Sequence, residues 1–418
     1  MTVALETAET AETTEIAVAP ETTGAPTVAD AIRSARLGGI DAARGIALLG
    51  IMAVHALADT RPDGQPSWDF AIFAGRAAAA FAVLAGVGIA FLSGRKRVGI
   101  ADARGTVVAL AARALVIGAI GLCFGYTDGA IGVMILPYYA VLFLLAIPLV
   151  FLPTWLIAVT GVLFAGGAPL LSFVVLPHLP VVTAAHNPGF SFVFHHPLGM
   201  LYEMTFTGEY PAVPWVTYIC AGLVAGRLNL SRVRVAVGLL VTGTALAVAS
   251  HATSWYLLDK AGGLPRIWQA QPGSNLTLPE TSEMLAFGGD GSVPSSTRWW
   301  LAVDAPHTST PFDLAGTTGT ALALLGLMLL VWRTHRVVRW VLGPIAAAGA
   351  MTLTIYCLHI WFLNSDYDVY SPNTGYALQV AGVLMFAFAW RMTAGRGPLE
   401  GLATSVTRRA RRWAGRRT

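Results

Sequence analysis

Charged residues stand inside runs otherwise apolar enough to cross a membrane, among them Asp41, Arg44, Asp69, Arg76 and Arg113. Charge in hydrocarbon is costly, so each is a candidate for ligand binding or catalysis. Asp41, Arg44, Leu48, Met52 and His55 follow a 3–4–4–3 spacing that places all five on one helix face. Fourteen residues of helix cover about 21 Å, so this stripe has a polar group near each end of a span. Asp69 and Arg76, seven apart, share a face in the next run, Asp69 at the outer end and Arg76 about 10 Å deeper. Arg44, Arg76 and Arg113 together suit a phosphate-bearing ligand; individually, pairing with Asp41 or Asp69 explains them equally well.

A second set lies at the opposite boundary. Asp313, Thr317 and Thr320 share one face, Thr352, Tyr356 and His359 another, and His307 precedes Asp313 by six residues. Three histidines, His55, His307 and His359, thus approach one boundary with Asp69 and Asp313 available to orient them. A histidine there can take a proton from a hydroxyl or amine, or carry an acyl group itself; satisfying a backbone carbonyl is its plain structural use. His195, His196 and Glu203 resemble a metal cluster only superficially, since the convergent ligands of a zinc site are missing, and no metal is expected. His178, His186 and His251 read as loop or interfacial residues, and Cys123, Cys220 and Cys357 as core thiols.

The elements that must position these groups are helices. The chain has 418 residues, 55% hydrophobic and 12% charged, with a mean hydropathy of +0.62; that excludes an ordinary soluble protein. Apolar runs near 40–58, 68–93, 106–125, 132–152, 154–176, 212–227, 233–257, 312–332, 338–363 and 376–392 predict an all-α polytopic bundle of about ten transmembrane helices. With the N-terminus inside, the external connections carry only Arg61, Lys260, Arg266 and Arg298, while basic residues crowd 95–104, 227–234, 333–339 and 396–418. That asymmetry places both termini in the cytoplasm, in a plasma membrane.

Three regions follow. Residues 1–35, rich in Glu, Thr, Ala and Pro, read as a disordered cytoplasmic tail. Residues 36–395 form the membrane domain, with external loops near 177–211 and 258–311; the second holds Trp268, Trp299 and Trp300, as a functional lid does. Residues 396–418 interleave Leu399, Leu402, Val406 and Trp413 with arginines, the pattern of a helix on anionic lipid, a better reading than nucleic-acid binding.

The segment RLGGIDAARGIALLGIMAVH at 36–55 resembles the first-helix signature of the heparan-α-glucosaminide N-acetyltransferase family, roughly R-L-x-x-x-D-x-x-R-G-x-A-x-x-x-M-x-x-V-N; Arg36, Asp41, Arg44, Gly45 and Ala47 match. GRAAAAFAVLAGVGIAFLSGR, TGEYPAVPWVTYICAGLVAGRL, PHTSTPFDLAGTTGTALALLGL, AAGAMTLTIYCLHI and GPLE look like its YeiB-like actinobacterial relatives. The resemblance implies transfer of an acyl group from cytoplasmic acyl-CoA, acetyl-CoA foremost, to an acceptor across the membrane. His55 stands where the pattern has Asn, and eleven residues on, near the family's active histidine, this chain has only polar loop residues such as Gln65. The catalytic histidine is therefore relocated, with His55 the first candidate and His359 the second.

The sequence thus predicts a membrane acyltransferase with His55, His359, Asp313 and His307 at the reacting centre and Asp41, Arg44, Arg76 and Arg113 around the donor. Its acceptor is an extracytoplasmic glycan, lipid or small metabolite; a homodimer is compatible with it. The rival is a transporter using the same polar stripes as a permeation path, which broken helices with Gly/Pro interruptions in two symmetric positions would favour.

Overall fold

The computed structural model describes residues 28–179 and 187–415. Its elements are α1 (Val28–Ala56), α2 (Trp68–Phe73), α3 (Arg76–Leu92), α4 (Ile100–Leu122), α5 (Leu136–Leu149), α6 (Thr154–Val175), α7 (Phe190–His195), α8 (Pro197–Tyr202) and α9 (Ala212–Arg227). There follow α10 (Val233–Trp255), α11 (Gly263–Ala270), α12 (Leu278–Phe287), α13 (Pro311–Val331), α14 (Arg336–Val341), α15 (Gly343–Gly349), α16 (Thr352–Leu363), α17 (Pro372–Thr393) and α18 (Pro398–Gly415).

Among the described residues seven helices are long and apolar enough to cross a membrane, and eight if α15 and α16, bent by 85°, count as one broken span. The expected all-α membrane bundle is present; by length and composition the described residues do not confirm ten spans. All ten apolar runs fold as helix, but α5 has 14 residues and α9 has 16, about 21 and 24 Å against a hydrocarbon core of about 30 Å. Helix α9 is packed against α3 and α6. The small residues of the AAAAFAVLAG run permit this: a Cβ on Gly222 would lie 1.9 Å from the Val83 carbonyl oxygen.

The basic residues gather at one end of the bundle, where several close helix ends by donating to carbonyls. Arg95 Nε donates to Gly226 O at 3.2 Å, Arg97 Nε to Phe151 O at 2.7 Å, and Arg227 to Leu152 O and Val150 O at 2.7 and 3.0 Å. Carbonyls left over at a helix C-terminus favour cationic donors. This end is called the basic end below.

Of the expected regions, residues 1–27 lie outside the described residues and α1 begins at Val28, eight residues before the membrane domain was expected to start. The segment 177–211 contains α7, α8 and a π turn at Glu203–Thr207; His186 lies outside the described residues. The segment 258–311 folds around buried Ile267, Trp300 and Val303, with α12 started by a capping box between Thr277 and Glu280. Helix α18 packs along α4 and touches α16, leaving Arg408, Arg409, Arg411 and Arg412 exposed.

Candidate functional site

Helix α1 carries the inner polar group. Arg44 NH1 lies 3.8 Å from Asp41 Oδ1 and NH2 donates to Leu84 O at 3.3 Å, while Asp41 Oδ2 lies 3.8 Å from Arg391. The broken span can press against this turn because position 349 lacks a side chain: a Cβ on Gly349 would sit 1.7 Å from Asp41 O. Arg113, on α4, lies with its guanidinium 5.5 Å from the Phe143 ring centroid. Arg44 and Arg113 line one cavity of about 250 Å³ with Gly88, Thr352, Tyr356 and Glu400.

Glu400 reaches this cavity from α18. Its Oε1 accepts from Leu353 N at 2.6 Å and Thr354 N at 3.1 Å, and its Oε2 from the Thr354 hydroxyl at 2.6 Å. A carboxylate thus caps the free amides that start α16 just after the break.

At the other end of the stripe, His55 Nδ1 lies 3.3 Å from His359 Nε2, and His359 Nδ1 lies 2.6 Å from Gln379 Oε1. The two rings are parallel within 5° with centroids 5.4 Å apart. Because the centroids are much farther apart than the facing nitrogens, the rings meet edge to edge, as a hydrogen-bonded pair, not face to face. An amide oxygen can only accept, which fixes the tautomers in turn: His359 carries its proton on Nδ1, His55 donates from its own Nδ1 to His359 Nε2, and His55 Nε2 keeps a free lone pair.

His55 lines a second, larger cavity of about 1030 Å³. Its polar lining includes Asp59, Tyr138, Glu203, Glu209, Tyr210, Asp290 and His307. Ile51, Ile135 and Tyr356 border both cavities, and the Tyr356 hydroxyl is fixed there, donating to Val133 O and accepting from Ile135 N, each at 3.2 Å. Glu203 Oε1 accepts from the Tyr138 hydroxyl at 3.0 Å. Glu209 Oε1 stands 3.7 Å from His307 Nδ1. Burial pushes the Glu209 carboxyl up to about 7 and the His307 imidazole down to about 4.

Of the expected reacting centre, then, His55 and His359 touch, and His307 faces the same cavity as His55. Asp313 is elsewhere. Its Oδ2 accepts from Ser309 N at 2.9 Å and its own N–H binds Thr310 Oγ1 at 3.1 Å, so it pins the turn after His307 and orients neither ring of the pair. Of the expected donor residues, Arg44 and Arg113 share a cavity and Asp41 braces Arg44. Arg76 does not join them: the chain breaks at Gly75, φ 67°, and Arg76 starts α3, whose 17 residues run about 24 Å toward the basic end. There it donates to Ala71 O at 2.6 Å. His195, exposed, contacts Ser191 O at 2.8 Å, exposed His251 meets Asp304 Oδ2 at 2.7 Å, and Cys123, expected in the core, is exposed.

Gln379, Glu209 and Glu400 were not singled out in the sequence. Gln379 is a neutral amide, invisible to a search for charge, though a glutamine within an apolar run is itself a signal. Glu209 and Glu400 lie in TGEYP and GPLE, segments flagged only as wholes.

The family described as "Heparan-alpha-glucosaminide N-acetyltransferase, catalytic" matches residues 36–259. That stretch takes in Arg44, His55, Arg113 and Glu209 and stops before His307, His359 and Gln379. No curated protein matches the chain.

Proposed function

We propose that this chain, which belongs to the heparan-alpha-glucosaminide N-acetyltransferase family, moves an acyl group from acyl-CoA at its basic end to an acceptor in the large cavity. Acetyl-CoA is the first donor to test, and an extracytoplasmic glycan, lipid or small metabolite the acceptor class. The observation that carries this reading is the pair of cavities meeting at Ile51, Ile135 and Tyr356, one holding Arg44 and Arg113, the other His55.

The arginines suit the donor's phosphates, and the apolar junction suits its thioester arm. His55 Nε2 attacks the thioester carbonyl, the C–S bond breaks, and the thiolate leaves, with the acyl group on His55. The His55 Nδ1 proton stays shared with His359, which spreads the positive charge the acylated ring acquires. An acceptor in the large cavity then takes the acyl group and restores His55. Because cytoplasmic connections are enriched in Arg and Lys, the basic end is assigned to the cytoplasm and both termini with it.

The test is incubation of the purified protein with radiolabelled acetyl-CoA, without acceptor, followed by thiol release and label on the protein. Stoichiometric label on native protein and none on His55→Ala is expected; label retained on His55→Ala sinks the covalent role of that residue. A second reading is transport through the same cavities, for which the 85° break between α15 and α16 supplies one of the two symmetric helix breaks that such a path calls for. A protein that moves solutes into vesicles without releasing thiol from acetyl-CoA would be that transporter.

A further inference from the structure

The large cavity that His55 lines is also lined by His307. This residue has φ 55° and Ser309, two positions on, φ 47°, a left-handed backbone that is strained at a non-glycine residue. The surrounding chain over-determines this conformation. Gly291 N donates to His307 O at 2.7 Å, Asp313 holds Ser309 N, and a Cβ on Gly291, itself at φ 89°, would lie 2.0 Å from Gly208 O, next to Glu209. Strain held this firmly aims one side chain. The His307 ring packs edge-on against Tyr210, centroids 5.3 Å apart, and its buried Nδ1 has no hydrogen-bond partner, with the Glu209 carboxylate 3.7 Å away. That separation is too long for a hydrogen bond; Glu209 accepts instead from the Tyr210 hydroxyl, and both it and His307 line the cavity.

We infer that Glu209 is the base that takes the proton from the acceptor, with His307 positioning the acceptor's attacking atom beside it. The inference rests on the acyl-His55 reading above. The acceptor's N–H or O–H gives its proton to the Glu209 carboxylate as its heteroatom bonds to the acyl carbon. The bond from that carbon to His55 Nε2 breaks, and the electron pair returns to Nε2, leaving His55 neutral with its Nδ1 proton in place. His307, neutral above about pH 4, lines the same cavity as His55. Glu209, titrating near 7, has the basicity a proton acceptor needs at neutral pH. Burial raises this value most, Asp290 and Glu203 raise it further, and a hydrogen bond with Tyr210 lowers it; His307 and Tyr138 face the same cavity.

The division of labour is tested on full-length protein in lipid nanodiscs, labelled with radioactive acetyl-CoA and then freed of donor. Discharge of the label is followed with water as the nucleophile, which needs a base, and with hydroxylamine, which attacks unaided. Glu209→Gln is expected to acquire label as native protein does, to lose it to water about 10²–10⁴-fold more slowly, and to lose it to hydroxylamine at the native rate. Native discharge to water should rise with pH through a midpoint near 7, a limb absent from Glu209→Gln; Glu209→Asp should recover part of the rate. Discharge to water at the native rate in Glu209→Gln overturns the inference alone, and an equal slowing with hydroxylamine reassigns Glu209 to structure. Absence of label on native protein overturns this inference together with the acyl-His55 reading.

Discussion

His55 and His359 lie 304 residues apart in sequence, yet their facing nitrogens are 3.3 Å apart, with Gln379 closing the row at 2.6 Å. On the proposed chemistry, His55→Ala lowers turnover by about 10²–10⁴-fold while leaving donor KM and detergent-solubilised Tm close to native. A ring that only satisfied its neighbour would show the reverse, lost Tm with turnover kept.

Gln379→Leu removes the acceptor that sets the tautomers, so a fraction of His55 turns its proton toward the cavity. The expected loss is about tenfold in kcat, the equivalent of one hydrogen bond at about 1.4 kcal/mol, with KM unchanged. Gln379→Glu, which also accepts from His359 Nδ1, should retain most of the activity. Nitrogen NMR of labelled histidines in the two variants reads the tautomers directly.

Arg113→Ala and Arg44→Ala should each raise donor KM about 10–100-fold, as loss of a charge-assisted hydrogen bond worth about 1.5–3 kcal/mol implies. Arg76→Ala, at the far end of α3, should leave donor KM alone. Direct calorimetric titration with acetyl-CoA separates these outcomes from effects on the chemical step.

The carboxyl of Glu209 is raised by burial from an ordinary 4.5 to about 7. A raised acid favours folding while protonated, so its contribution is fully present below about 4.5 and is lost as pH rises through 7. Tm should therefore fall as pH climbs across that window, and the fall should be shallower in Glu209→Gln. An identical slope in both proteins would place the titration on another group.

Topology is checked with a native label. Cys123 is exposed at the end of α4 away from the basic end, whereas Cys220 and Cys357 are buried. A membrane-impermeant maleimide applied to intact cells should modify Cys123 alone; modification only after lysis would invert the assigned orientation.

Helical period made the first stripe legible: Asp41, Arg44 and His55 do share a face of α1, and Arg44 and His55 do open to different cavities. The breaks were not legible. In 68–93 a single Gly75 at positive φ separates α2 from α3, and in 338–363 the chain turns by 85° between Gly349 and Thr352, though both runs read as continuous apolar helix. Where a helix ends depends on what packs against it, and here Asp41 O and Glu400 occupy the gap. Arg76 was grouped with Arg44 and Arg113 by counting charges, whereas the direction in which α3 runs puts it about 24 Å from the basic end. His359 could be named from its type and boundary position, but its pairing with His55 is a product of α16 meeting α1, which no local spacing encodes.

Glu400 ties α18 to the first amides of α16, the helix that carries His359 less than two turns further on. In biosynthesis this sets an order of events. The ribosome releases α1, with His55, more than 300 residues before it can supply the carboxylate that seats α16. A nascent chain that ended after residue 359 but before residue 400 would hold both histidines without the anchor that fixes their register. The newly inserted protein should stay chemically silent until its late helix docks, so that no partly built copy cleaves acyl-CoA to no purpose.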